Sequence, residues 1–223
     1  MAQLIHGLRA ADVRRNAREV REEIVEAARR AGRDPDGVEL LAATKYVPDE
    51  DMPRLAEAGL RLVGENRAQD LERKVAACGE LFEWDFIGQL QSRRVRLIAA
   101  HVRLIHSVAS ESALRELERH CALCRPGLRI LLEVNVAREP GKAGIDPSEI
   151  DRYLERSPVP VAGLMTMPPA SDDPRDSRRW FAALADLARA RGLEHLSMGT
   201  TQDYPVAVEE GATIVRIGTR LYR

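Results

Sequence analysis

Eight short apolar runs, seven of them followed by an amphipathic stretch, constrain this chain more than any other feature. The runs are read at Glu39 to Thr44, Leu60 to Val63, Trp84 to Gly88, Val102 to Ser107, Leu128 to Val136, Val159 to Met165, His195 to Met198 and Thr213 to Ile217. Strands alternating with helices build βαβ units on a parallel sheet. The apolar run Ile130-Leu131-Leu132 suits a strand covered on both faces. Eight units within 223 residues predict an α/β fold closed as a (β/α)8 TIM barrel, one domain over residues 1–223. A doubly wound open sheet is the alternative, but it leaves eight strands in so short a chain unexplained. Ahead of the first strand, Leu8 to Ala31 reads as a long amphipathic helix, with Val13, Ala17, Val20, Ile24 and Ala27 spaced by threes and fours. No room remains for a helix after strand eight, so this N-terminal helix is expected to cover the gap.

Charge and composition remove several classes of function. A formal net charge of −1 offers no basic field to recruit nucleic acid, and 4% aromatic residues are too few for a base-stacking platform. No apolar run approaches the ~20 residues of a membrane span, and nothing near the N-terminus resembles a signal peptide; a cytoplasmic protein is expected. Cys78, Cys121 and Cys124 are too few and too oddly numbered for a disulfide framework. The Cys121-x-x-Cys124 spacing beside His120 has no second ligand pair, so no metal site is expected.

The first strand ends in Leu40-Leu41-Ala42-Ala43-Thr44-Lys45. Of 34 basic residues 31 are arginine, and Lys45, Lys74 and Lys142 are the lysines. An amine kept at the end of a buried strand has two readings. It can be a nucleophile that forms a Schiff base with a carbonyl, which a permanently charged guanidinium cannot do. It can equally be a snorkelling side chain with its stem on apolar neighbours.

In this architecture function is built at the C-terminal strand ends. The residues there are Lys45, Asn66, Gly88-Gln89, His106-Ser107, Asn135, Met165-Thr166, Ser197 through Thr201 and Arg216 through Thr219. Glycines admit close backbone approach and free amides attract anions, so the turns after strands seven and eight read as a phosphate cradle or as ordinary small-residue turns. Once a barrel closes, that cradle neighbours Lys45. A ligand bearing both an aldehyde and a phosphate satisfies both, and pyridoxal 5′-phosphate (PLP) fits.

Ala42-Ala43-Thr44-Lys45, Gly64-Glu65-Asn66, Phe86-Ile87-Gly88-Gln89-Leu90-Gln91, Ile105-His106-Ser107-Val108, Gly163-Leu164-Met165-Thr166, Leu196-Ser197-Met198-Gly199 and Val215-Arg216-Ile217-Gly218-Thr219 resemble, in order, the YggS/PROSC family of PLP homeostasis proteins. The resemblance implies a fold-type III barrel like the N-terminal domain of alanine racemase, with Lys45 as the internal aldimine. It implies that Ser197, Gly199, Gly218 and Thr219 hold the phosphate and that Arg216 faces the pyridine nitrogen, and Thr200 is expected among the cofactor-binding residues. Asn66, His106 and Met165 complete the expected cofactor-binding set. Lys142 matches a family loop lysine. The sequence departs from the family at Asp85 and Gln89, where histidines are expected, and at Thr200-Thr201, where Met-Ser is common.

Racemases of this cofactor class take a second base from another domain, and none of Tyr46, Tyr153, Tyr204 and Tyr222 stands out as one. The resemblance implies a carrier without catalytic residues that buffers PLP or delivers it, with PLP-dependent enzymes as recipients; a monomer is expected. A PLP-dependent racemase or lyase, and a sugar-phosphate aldolase, are the enzyme alternatives.

Overall fold

The computed structural model describes residues 4–223, so the first three residues of the predicted domain lie outside the described residues. Eight strands run in the order β1 (Glu39–Ala43), β2 (Leu62–Glu65), β3 (Glu83–Phe86), β4 (Leu104–Val108), β5 (Arg129–Glu133), β6 (Val161–Met165), β7 (His195–Thr200) and β8 (Ile214–Ile217). All neighbours are parallel, and β1 pairs with β8 to close the barrel, with Ala42 opposite Ile217. This excludes the open doubly wound sheet. The observed strands start one to two residues later than several predicted runs, because residues such as Leu60 and Val102 are buried in the turns that lead into the wall.

The helices are α1 (Ala10–Arg30), α2 (Met52–Glu57), α3 (Ala68–Cys78), α4 (Val95–Ala99), α5 (Glu111–Arg119), α6 (Ile150–Arg156), α7 (Arg178–Arg189), α8 (Tyr204–Glu209) and α9 (Thr219–Tyr222). Helix α1 buries Val13, Ala17, Val20, Ile24 and Ala27 and packs against α2, α8 and α9. It thus covers the gap beside β8, as its pattern predicts. Its Asn16 Nδ2 donates to the carbonyls of Leu221 at 3.2 Å and Arg223 at 3.1 Å, tying the two ends of the chain together. One expectation is corrected here: β8 is followed by a helix, the single turn α9. Four residues suffice because Leu221 and Tyr222 are buried, and the Tyr222 hydroxyl donates to the Ala43 carbonyl at 3.2 Å.

Cys121 lies on a separate 3₁₀ turn, Cys121–Leu123, beyond the end of α5. Cys121 is exposed and Cys124 half-buried, both free, and Cys124 Sγ donates to the His120 carbonyl at 3.5 Å. Among the described residues no helix is long and apolar enough to cross a membrane.

Alternation of side chains along each strand divides the interior into two. Outward residues such as Ala42, Val63 and Ile105 join the helices in a large apolar shell. Inward residues Leu41, Leu104, Leu131, Met165 and Ile214 form a small apolar floor inside the lumen. The next inward layer, toward the C-terminal ends, is polar.

Candidate functional site

That polar layer is made by Asp85, His106, Glu133, Ser197 and Arg216, all nearly or fully buried. Each lies two residues beyond, or one strand away from, an apolar floor residue, so the period of the strand lifts it to the mouth. Arg216 is the central cation. Its Nη1 donates to Ser197 Oγ at 2.5 Å, and its Nη2 donates to the Thr166 carbonyl at 3.2 Å and lies 2.9 Å from Met167 Sδ. Among the described residues no carboxylate forms an ion pair with it. Burial pushes the guanidinium down to about 10, opposed by the fields of Glu133 and Asp203, so it remains a cation at neutral pH. A buried cation without an anionic partner is costly unless something else supplies acceptors.

Behind Arg216 the hydrogen bonds continue. Ser197 Oγ lies 2.8 Å from His106 Nδ1, and His106 Nε2 lies 3.1 Å from Asp85 Oδ2. Burial lowers the His106 pKa, with Arg216 and Arg103 acting in the same direction and Asp85 against them. Glu133, on the same layer, has its carboxyl pKa raised by burial, against Arg216 and Lys142.

Lys45 stands two residues past β1, at the same end of the barrel. Its side chain is exposed, and Nζ lies 4.9 Å from the centroid of the Tyr46 ring. It forms no hydrogen bond or ion pair among the described residues. The backbone beneath it is held rigidly by a buried cluster. Thr44 Oγ1 donates to Glu65 Oε1 at 2.7 Å, and Lys74 Nζ donates to the Thr44 carbonyl at 2.8 Å while pairing with Glu65. Lys74 and Glu65 are 2% and 0% exposed, so the one lysine in this region with a fixed partner is not Lys45. Lys45 and Asn66 line one cleft of about 440 Å³. Asn66 Oδ1 is buried there without a hydrogen-bond partner. Gly88 permits this arrangement, because a Cβ on it would stand 2.0 Å from the Asn66 carbonyl oxygen.

The turns after β7 and β8 meet the same rim. The Gly218 amide donates to Thr201 Oγ1 at 3.2 Å, which joins the two turns directly. Gly199 has φ +88°, and a Cβ there would lie 2.5 Å from Ala207 Cβ, so this glycine serves the close approach of α8. Thr200 has its amide and hydroxyl on Asp203 Oδ1, at 2.8 and 3.2 Å. The amides of Thr201 and Gln202 have no acceptor among the described residues. Gly199 and Thr200 line a second, smaller concavity of about 160 Å³ with Met167 and Asp203. Tyr46 connects the two halves of the rim: it flanks Lys45, and its Cε2 lies 3.7 Å from where a Gly218 Cβ would be.

The structure therefore brings Lys45, Asn66, His106, Ser197, Arg216, Gly218 and Thr219 to one end of the barrel but not into one cavity: Lys45 and Asn66 line one cleft, Gly199 and Thr200 another, and His106, Ser197 and Arg216 lie buried in the lumen. Ser197, expected at the phosphate, turns its hydroxyl inward to His106 and Arg216, and Thr201 takes the place beside Gly218. Met165 lies lower, in the apolar floor. Lys142 is paired with Glu139 on its loop. Sequence reasoning named Tyr46, Lys74 and Thr201 without giving them a role in the site, and it passed over Glu133. The inward phase of Glu133, two residues past Leu131, was the one signal that could have found it.

Residues 11–223 match the family described as "Alanine racemase, N-terminal domain". A protein of Aquifex aeolicus named "Pyridoxal phosphate homeostasis protein" is 41% identical over 214 residues, covering 91% of this chain and 94% of that one. The chain belongs to the pyridoxal phosphate homeostasis protein family. A protein from Bifidobacterium adolescentis, its function unknown, superposes with a TM-score of 0.85 at 31% identity, over 99% of this chain and 98% of that one. PipY of Synechococcus elongatus, solved with PLP bound, gives a TM-score of 0.74 at 32% identity, covering 90% of this chain and all of PipY. Membership of this family and the alanine racemase-like barrel, both implied by the motif resemblance, are thus established.

Proposed function

We propose that this protein binds PLP covalently through the Lys45 nitrogen and holds it in reserve for PLP-dependent enzymes, without turning over a substrate of its own. The observation that carries the proposal is the buried Arg216 guanidinium, which has no carboxylate partner, at the mouth where Lys45 leaves β1. The residues present fit the group. Lys45 offers an amine with no hydrogen-bond or ion-pair partner among the described residues, Asn66 Oδ1 an unsatisfied acceptor, and Thr201 and Gln202 backbone amides that donate to no acceptor among the described residues and are open to phosphate oxygens. Gly218 and Thr219 border those amides through the bond to Thr201.

When bound, PLP supplies an electron sink for carbanion chemistry, whose strength depends on protonation of its ring nitrogen. An arginine facing that nitrogen keeps it unprotonated, because two cations do not share one hydrogen bond. Arg216 thereby favours storage over catalysis, and family membership with the relative named for PLP homeostasis supports the same reading.

Purified protein incubated with PLP is expected to show a visible absorption band that hydroxylamine abolishes. Lys45→Ala should lose the band, whereas Lys74→Met should retain it if the variant folds. A band retained unchanged in Lys45→Ala would refute the assignment. Sustained turnover of an amino acid, lost in Lys45→Ala, would establish the racemase or lyase alternative instead.

A further inference from the structure

Asp85 is one of the residues at which this chain leaves the pattern of the family it resembles, and it lies in the lumen with no exposed surface. Two groups converge on its carboxylate from opposite sides. From the N-terminal end of the barrel, Arg103 donates through Nε to Oδ1 at 2.9 Å and through Nη2 to Oδ2 at 3.2 Å. The same guanidinium grips Glu39 at 2.9 and 2.6 Å. Burial opposes the charge of Arg103, but these two carboxylates outweigh it and raise its pKa. From the mouth side, His106 Nε2 lies 3.1 Å from Oδ2.

The direction of every bond in the chain follows from the chemistry of its ends. A carboxylate only accepts, so His106 Nε2 carries the hydrogen. A neutral imidazole then has a bare Nδ1, which accepts from the Ser197 hydroxyl at 2.8 Å. The Ser197 oxygen keeps its lone pairs for Arg216, an obligate donor, at 2.5 Å. Arg216 is thus held by a chain whose polarity is set at Asp85 on β3, a different strand from those carrying the histidine, the serine and the arginine.

We propose that Asp85 is a positioning residue for the cofactor site: anchored by Arg103 and Glu39 from the far end of the barrel, it directs the chain His106–Ser197–Arg216 and aims the guanidinium at the PLP ring nitrogen. The last step rests on the proposed PLP-binding function; the direction of the chain does not. The isosteric change Asp85→Asn supplies the decisive contrast. Arg103 can only donate, so the amide oxygen turns to it and the amide NH₂ faces His106. His106 must then accept at Nε2 and carry its hydrogen on Nδ1, which reverses the bond to Ser197. A carboxylate that selects a histidine tautomer has the same leverage in hydrolase triads.

Two-bond ¹H–¹⁵N correlation on histidine-labelled protein without cofactor reads the tautomer directly, with the His106 signal assigned by its loss in His106→Gln. Wild type at neutral pH should show neutral His106 with hydrogen on Nε2, and Asp85→Asn should show it on Nδ1. Hydrogen on Nδ1 in wild type, a doubly protonated ring, or an unchanged tautomer in Asp85→Asn would overturn the chain. PLP titrated into the same proteins should bind Asp85→Asn and Ser197→Ala each about tenfold more weakly, the order of one misdirected hydrogen bond. The visible band should still form, because Lys45 is intact. The double variant should be no weaker than either single one, since both act through one chain. Equal affinity in wild type and both variants would overturn the positioning role. Ser197→Ala and the wild-type tautomer keep the test decisive if Asp85→Asn does not fold. A wild-type protein with the expected tautomer but no Lys45-dependent band would refute the PLP-binding function, and with it the positioning role, while leaving the direction of the chain established.

Discussion

Two buried polar clusters lie within a few residues of each other at the mouth of this barrel, and they are built on opposite principles. The Thr44–Glu65–Lys74 cluster, behind the barrel wall under α3, is closed. Its cation meets a carboxylate and a carbonyl, and the carboxylate also accepts from Thr44. The Asp85–His106–Ser197–Arg216 chain, inside the lumen, is open. It is anchored at one end by Arg103 and finishes at the other in a guanidinium with no carboxylate partner. A closed network rigidifies the backbone that carries Lys45. An open one leaves donors for a ligand to satisfy.

The closed cluster should be the more costly to break. Lys74→Ala leaves Glu65 charged and fully buried, and is expected to cost about 3–5 kcal/mol in denaturant unfolding. Replacing both partners by apolar residues, as in Lys74→Met with Glu65→Leu, should recover most of that loss, because the desolvation cost disappears with the charges. If the double variant were as unstable as the single one, the cluster would owe its stability to something other than charge pairing. Gly88→Ala, which forces a Cβ into the Asn66 carbonyl, should cost about 2–3 kcal/mol by the same measurement.

The open chain should reveal itself by pH. Burial lowers the His106 pKa from its ordinary 6.5, so below that pH the unfolded chain binds more protons than the native one. Stability should therefore be level above pH 6.5 with respect to this group and fall as the pH drops, by at most about 1.4 kcal/mol per pH unit. His106→Gln should flatten most of this slope. His195, whose pKa is also lowered by burial, adds to the slope in the same sense. Smallest of all should be the effects at the ligand-facing ends. Arg216→Met is expected to change stability by less than about 1 kcal/mol, since it removes an unpaired buried charge, and Lys45→Ala by less than about 0.5 kcal/mol. Both should abolish or sharply weaken PLP uptake in a spectral titration. A large stability loss in Arg216→Met would mean that this end is structural too.

The barrel was legible in the sequence because strand and helix periods are local, and eight alternations admit few closures. The N-terminal helix could be placed by its apolar stripe alone, and Ser110 acts as the N-cap of α5, with its Oγ accepting from the Ala113 amide at 3.2 Å. The single turn α9 was missed because four residues carry no period. Lys45, Asn66 and Arg216 were legible as polar residues where apolar runs give out. Ser197 was assigned a partner by its place in a glycine-bearing turn, but side-chain phase along β7 turned it inward.

What the sequence by itself determined is the set of strand ends and which residues stand at them, since alternation and apolar runs are properties of neighbours along the chain. What only the tertiary structure decided is which of those residues meet. Lys74 reaches Thr44 from 30 positions away, and Arg103 reaches Glu39 from 64. Closure of the barrel sets these distances, and with them which charges are satisfied and which are left open. No local pattern encodes that difference, because the free energy of a buried charge depends on its neighbours in space.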